Sequence, residues 1–262
     1  MEINDKGISR LSVIPMRATG SDKAEIVSQL LFGDHYTVTG LSDNGKWCRV
    51  KMFFDGYEGW IDAKQHHPIS DEYFNQINNS DYKICTDLTA TILFNKLQTN
   101  IVIGSILPIS TNEMFKMEEQ LAFNGEAKSL SAKRDYDFLK SIALKYLNAP
   151  YLWGGRSPFG IDCSGLTQVV YRISGYQLPR DSGQQVKKGE EVAFADSQPG
   201  DLAFFGNEDG KITHVGIVME DGQIIHASGK VRIDELRQEG IRHADTTALT
   251  HRLTTIRRVI KF

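Results

Sequence analysis

Cys163 is the residue whose position most suggests chemistry. It lies in Tyr151–Gly175, YLWGGRSPFGIDCSGLTQVVYRISG, where a glycine-rich loop crosses Asp162-Cys163-Ser164-Gly165. Leu166, Val169, Val170 and Ile173 then recur as one apolar stripe at helical spacing. The pattern places Cys163 in the first turn of a helix with Asp162 as its N-cap. Unpaired amide groups and the helix dipole favour negative charge there, and so thiolate over thiol. Cys163 is a candidate nucleophile; a buried structural thiol is the reading that position alone leaves equally open.

A thiol nucleophile needs a base. Of the seven histidines, His214 in ITHVGIVM and His226 in QIIHASG sit on consecutive apolar strands. Side chains alternate faces along a strand, so the Glu220-Asp221-Gly222 loop decides whether the two can cooperate. A two-residue Asp-Gly turn would put them on opposite faces. A three-residue loop with Gly222 in the left-handed conformation pairs Met219 with Gln223 and sets His214 opposite Ser228, with His226 diagonally beside it on the same face. Diagonal neighbours lie roughly 7–8 Å apart, within reach of two imidazoles, and this is the expected register. His214 would then take the Cys163 proton and return it to a leaving amine. His226 would hydrogen-bond the far nitrogen of His214 and fix its tautomer. The competing readings are two satisfied core histidines, or a zinc site of one Cys and two His for which spacing suggests no further ligand. No metal and no cofactor is expected.

The elements that must position these groups follow from the rest of the chain. Its 262 residues are 40% hydrophobic, with 30 basic against 33 acidic residues for a net charge of −3. That balance suits a globular protein and points to neither nucleic acid nor a membrane surface. Cys48, Cys85 and Cys163 are scattered and odd in number, which favours a reducing compartment over a disulfide framework. No apolar run reaches signal-peptide or membrane-span length, so a cytoplasmic monomer is expected, unless a leader has been removed.

Residues 1–66 read as short strands (Ser12–Arg17, Ser28–Leu31, His35–Gly40, Trp47–Phe53, Gly59–Ile61) broken by glycine turns, the pattern of a small β-barrel. Residues 67–80 read as a polar connector with a short helical turn. IVIGSILPIST (Ile101–Thr111) echoes LLFGDHYTVTG (Leu30–Gly40) at an offset of 71, and FNGEAKSLSAKR (Phe123–Arg134) echoes FDGYEGWIDAKQ (Phe54–Gln65) at 69. Two segments at nearly one offset predict a degenerate second barrel at 81–133. From 134 to 262 the texture changes. A helix carrying Phe138, Ile142, Tyr146 and Leu147 stops at Asn148-Ala149-Pro150, the Cys163 helix follows, and strands are expected at Leu202–Gly206, Ile212–Met219, Gln223–Ser228 and Leu253–Phe262. The whole is an α+β chain whose last domain packs helices on an antiparallel sheet.

QLLFGDHYTVTG and WCRVKMFFDGYEGWI resemble the bacterial SH3-like domains of cell-wall enzymes. PYLWGGRSPFGIDCSGLTQ, GDLAFF, THVGIVM and IIHASG, in that order, resemble the NlpC-type family of papain-like cell-wall cysteine peptidases. The combined architecture is similar to the γ-D-glutamyl-L-diamino acid endopeptidases of murein recycling, the dipeptidyl-peptidase VI group. The resemblance implies Cys163 as nucleophile, His214 as base, His226 as third polar residue and Tyr151 beside the oxyanion. It implies murein peptides with a free N-terminal L-Ala as substrates, cut after γ-D-Glu. It further implies Asp181, Ser182 and Ser164 as substrate-binding residues, joined by Glu25 and Tyr57 from a first barrel expected to close the cleft.

Overall fold

In the computed structural model the described residues are 1–94, 96–107 and 121–260. Positions 108–111 of the second echo, with the rest of 108–120 in the expected second barrel, lie outside them, as do 261–262 at the end of the last expected strand. The chain forms two compact units, Met1–Ala132 with Trp153–Pro158, and Lys133–Leu152 with Phe159–Phe262. The short stretch 153–158, expected within the C-terminal domain, therefore belongs to the first unit.

The first unit opens with seven strands: β1 (Lys6–Ile8), β2 (Val13–Arg17), β3 (Ile26–Leu31), β4 (His35–Leu41), β5 (Trp47–Met52), β6 (Glu58–Asp62) and β7 (Pro68–Ile69). They form one antiparallel sheet in the order β3-β2-β6-β5-β4-β1-β7. Alternation along β2 and β5 turns one set of side chains inward, and Ile14, Met16, Tyr36, Val50 and Ile61 meet in the core. The last two strands in that order, β1 and β7, escape sequence reading because each is only two or three residues long. The expected connector holds more than a turn. Ser70 caps a nine-residue helix, α1 (Asp71–Asn79), by accepting from the Tyr73 amide at 3.1 Å, and the helix buries Tyr73, Phe74 and Ile77.

Beyond α1 lie β8 (Lys83–Cys85), β9 (Thr89–Phe94), β10 (Leu97–Val102), β11 (Ile106–Leu107), β12 (Leu121–Asn124) and β13 (Ala127–Ser129). They make two three-stranded antiparallel sheets, β10-β9-β12 and β11-β8-β13. The echoed glycines occupy matching turns. Gly33 (φ +83°) donates to the Ser9 carbonyl at 2.9 Å and Gly104 (φ +86°) to that of Cys85 at 2.9 Å. The Ser9 amide returns to the Asp34 carbonyl, as the Cys85 amide does to that of Ser105. A final strand, β14 (Arg156–Ser157), packs on β3.

The second unit starts with α2 (Tyr136–Lys145), capped by Asp135 and ended by Asn148 in the left-handed region (φ +66°). Leu139, Ile142, Ala143 and Tyr146 face its core, whereas Leu147, expected there, is exposed. After β15 (Gly160–Ile161), α3 (Cys163–Ile173) is buried on every side, because β18 and β19, α2 and α4 all pack against it. Here α4 is Ser182–Gln185, and the strands are β16 (Glu190–Val192), β17 (Leu202–Gly206), β18 (Ile212–Val218), β19 (Gln223–Ser228), β20 (Lys230–Arg237), β21 (Gly240–Arg242) and β22 (Leu249–Arg258). The expected antiparallel sheet closes into a barrel, β22-β17-β18-β19-β20-β21, sealed by a β21–β22 pairing. Closure was not foreseen because β20 and β21, KVRIDELR and GIR, carry charge at half their positions. No described helix is long and apolar enough to cross a membrane.

Candidate active site

Asp162 makes the start of α3 what it is. Its Oδ1 accepts the Gly165 amide at 2.7 Å, the capping bond expected from sequence. The same carboxylate takes two bonds from Arg180, Nη1 to Oδ1 at 3.0 Å and Nη2 to Oδ2 at 2.6 Å, and Arg180 is 1% exposed. A bidentate pair of this kind fixes both planes as well as their distance. Ser164 joins it, its Oγ receiving Arg180 Nη1 at 2.9 Å. Sequence reading missed Arg180; the only signal was a charged residue between a proline and the Asp181-Ser182 pair.

Cys163, 6% exposed, sits in the first turn of this pinned helix. The Val215 and Ser164 amides donate toward its sulfur and Arg180 adds positive charge, yet burial dominates and pushes the thiol up to about 12. After burial, the Asp162 carboxylate adds to the rise, against the lowering by the two amides and Arg180. His214, one residue before Val215 on β18, is held well below its ordinary value by burial first and then by His226 and His251. Each group alone resists charge. Moving one proton from sulfur to imidazole would create the two charges together, their attraction acting against both desolvation costs.

The β18–β19 loop has the three-residue form. Gly216 pairs with His226 and Val218 with Ile224, the Met219 amide donates to the Gln223 carbonyl, and Gly222 is left-handed (φ +66°). His214 and His226 therefore share a face, and His214 Nε2 meets His226 Nδ1 at 2.8 Å. His226 Nε2 in turn meets Asp234 Oδ2 on β20 at 2.9 Å. His251 of β22 stacks on His214 with ring centroids 4.2 Å apart and planes 24° apart. Neither Asp234 nor His251 was expected. Tyr151 forms a bridge with Ile161 just ahead of α3, and burial, reinforced by the Cys163 and Asp162 charges, raises its phenol to about 12, so it remains a donor.

Asp181 stands exposed at the start of α4 and does not cap it, with Ser182 half-buried beside it. Glu25 and Tyr57 belong to the first unit. Glu25 is exposed before β3 and accepts the Trp153 indole N–H, and Tyr57 packs against the core of the seven-stranded sheet. Among the described residues no group of three or more His, Cys, Asp or Glu side chains is arranged to hold a metal ion.

A buried cysteine at a helix start, with a histidine on a strand packed against that helix and bonded in turn to a second histidine, is the constellation of a cysteine hydrolase. Residues 148–250 match the NlpC/P60 family, and residues 16–65 match the bacterial dipeptidyl-peptidase Sh3 domain. A γ-D-glutamyl-L-lysine dipeptidyl-peptidase of Bacillus subtilis is 30% identical over 222 residues, spanning 77% of this chain and 72% of that one. The chain belongs to the NlpC/P60 family. It is a cysteine peptidase. A Bacillus cereus enzyme named for the same activity is 29% identical over 245 residues, 83% of this peptidase and 71% of that protein. The crystal structure of an NlpC/P60 family protein from Bacillus cereus superposes with a TM-score of 0.78 over 98% of this chain and 100% of that one, at 22% identity, a likeness of fold.

Proposed function

We propose that this peptidase hydrolyses the bond between γ-D-Glu and the diamino acid in murein stem peptides that carry a free N-terminal L-Ala, releasing L-Ala-D-Glu. The observation that carries this reading is the length of the match: the two dipeptidyl-peptidase relatives align across most of the chain and not over the catalytic part alone. Cys163 Sγ attacks the γ-carbonyl as His214 accepts its proton. The tetrahedral oxyanion collects the Cys163 amide and the Tyr151 hydroxyl, and His214 protonates the departing amine. Water then cleaves the thioester, with His214 again as base. A substrate ammonium removed from water needs anionic partners, and Asp181, an exposed acid at the start of α4, suits that role. Ser182, Ser164, Glu25 and Tyr57 are carried in the proposal as further substrate-binding residues.

The proposal includes residues 81–133 as a degenerate copy of the first barrel, supported by the shared turn at Gly33 and Gly104, with 134–262 as the papain-like domain. It also includes a cytoplasmic location, since stem peptides with free N-termini arise once the wall has been dismantled.

The deciding assay compares L-Ala-γ-D-Glu-L-Lys with its N-acetylated form, and the meso-diaminopimelate peptide alongside. Acetylation removes a charge-assisted contact and should lower kcat/KM roughly 10–100-fold, while Cys163→Ala abolishes turnover of every peptide with its circular dichroism unchanged. Equal rates on free and acetylated peptides would replace this reading with a general wall hydrolase.

A further inference from the structure

The chain of buried hydrogen bonds does not stop at the second histidine, and its last member dictates the direction of all the others. Asp234 is 3% exposed on β20. Its Oδ1 accepts Arg232 Nη2 at 3.0 Å and the Ala244 amide at 2.8 Å, and Arg232 Nε lies 2.8 Å from its Oδ2 as an ion pair. Burial alone would raise the carboxyl, but His226, the Ala244 amide and Arg232 together hold it well below the ordinary carboxylate range. An ionised carboxylate can only accept. The 2.9 Å bond from Oδ2 to His226 therefore requires a hydrogen on His226 Nε2.

The remaining protons follow. In neutral His226 a hydrogen on Nε2 leaves Nδ1 as acceptor. The 2.8 Å contact between His226 Nδ1 and His214 Nε2 must then be a donation from His214. His214 in turn keeps an unprotonated Nδ1, the atom able to take the proton of Cys163. We propose that Asp234 is a positioning residue of this peptidase, which sets the tautomers of His226 and His214 and so aims the base lone pair at the nucleophile. Arg232 neutralises Asp234, and also reaches Asp245 Oδ2 at 3.2 Å and His243 Nδ1 at 3.4 Å. The contribution is accordingly directional more than electrostatic. His226 is 1% exposed, out of contact with bulk solvent. His251 stacks face to face on His214 and stands edge-on to His226 with ring centroids 5.9 Å apart.

Asp234→Asn discriminates this role from scaffolding. Arg232 Nη2 and the Ala244 amide claim the carboxamide oxygen, so the amide nitrogen takes the Oδ2 place and donates toward His226. That reverses every bond in the chain and puts a hydrogen on His214 Nδ1. Nitrogen-15 histidine spectra should show Nε2–H tautomers for His214 and His226 in the wild type and Nδ1–H in the variant. Alkylation of Cys163 by iodoacetamide, followed across the neutral pH range, should slow by about 10–100-fold. Both readouts are independent of the peptide substrate, so they stand or fall separately from the activity proposed above. A wild-type spectrum with Nδ1–H on His226 overturns the proposal, even if the variant fails to fold. So does a variant that keeps the wild-type tautomers and alkylation profile, whatever its melting temperature.

Discussion

His251 shows at the scale of one residue how much of the candidate site lies outside Cys163 and His214. Burial, followed by the neighbouring His226, pushes it down to about 4, with Asp234 pulling the other way. Between about pH 6.5 and 4 the unfolded chain therefore binds a proton at this position that the native chain refuses. Protons bound by the unfolded state alone favour unfolding, so stability falls as the solution is acidified through that window. His214, shifted the same way, adds to the loss. His251→Phe keeps a ring against His214 but cannot titrate, and urea midpoints recorded against pH should decline less steeply for it than for the wild type. An unchanged slope would show that His251 is not the titrating group. The places of Cys163, His214 and His226 were legible because a helix start and two strands can be read locally. His251 was not, since its place beside His214 depends on the pairing of β22 with β17, which nothing near residue 251 encodes. Arg180 and Asp234 were hidden for a related reason: a charged residue looks like surface until its partner is known.

Among the elements, the β18–β19 hairpin does the aligning. Asp221 (φ +54°) and Gly222 (φ +66°) are consecutive left-handed residues, and they hold the three-residue loop that keeps both histidines on one face. Tyr136 and Lys140 of α2 fasten it by donating to Glu220 at 2.7 and 2.9 Å. Deleting Asp221 would slip the register by one and turn His226 to the opposite face. Turnover should fall by at least about 1000-fold even where the protein still folds. Gly222→Ala is the contrast. Nothing lies closer than 3.8 Å to the added carbon, so it should cost only about 1–2 kcal/mol of left-handed strain and retain activity. If both variants lose activity equally, register is not what the loop supplies. The hairpin was readable because strand periodicity offered just two loop lengths. The closure of the barrel was not, for β21 and β16 share one edge of β22, a division of a ten-residue strand that no local pattern announces.

For the molecule as a whole, the segment 153–158 matters more than its length suggests. Within the first unit Arg156, 2% exposed, donates Nη1 to Asp34 Oδ2 at 3.0 Å and to the Gln29 carbonyl at 2.6 Å, and its amide donates to Gln29 Oε1 at 2.7 Å. Gly154 (φ +78°) lies so near the Ile26 carbonyl that a Cβ would approach within 2.3 Å. The glycines ahead of Cys163 were legible as a loop, but not as a loop that owes its shape to residues more than a hundred positions earlier. Arg156→Met removes the cation paired with the buried Asp34 carboxylate, which keeps the Leu31 amide, and should cost about 3 kcal/mol, read as a lower urea midpoint; Asp34→Asn added to it should recover part of the loss. A double variant no more stable than the single one would mean that the pair contributes through packing alone. The interruption also has a temporal side. A ribosome delivers residues 1–132 first, yet the unit they belong to lacks β14 until residue 158 has emerged. By then α2, part of the other unit, is already outside the exit tunnel. The two units must therefore mature in overlapping order, and no single splice point in the gene could lend either of them intact to another protein.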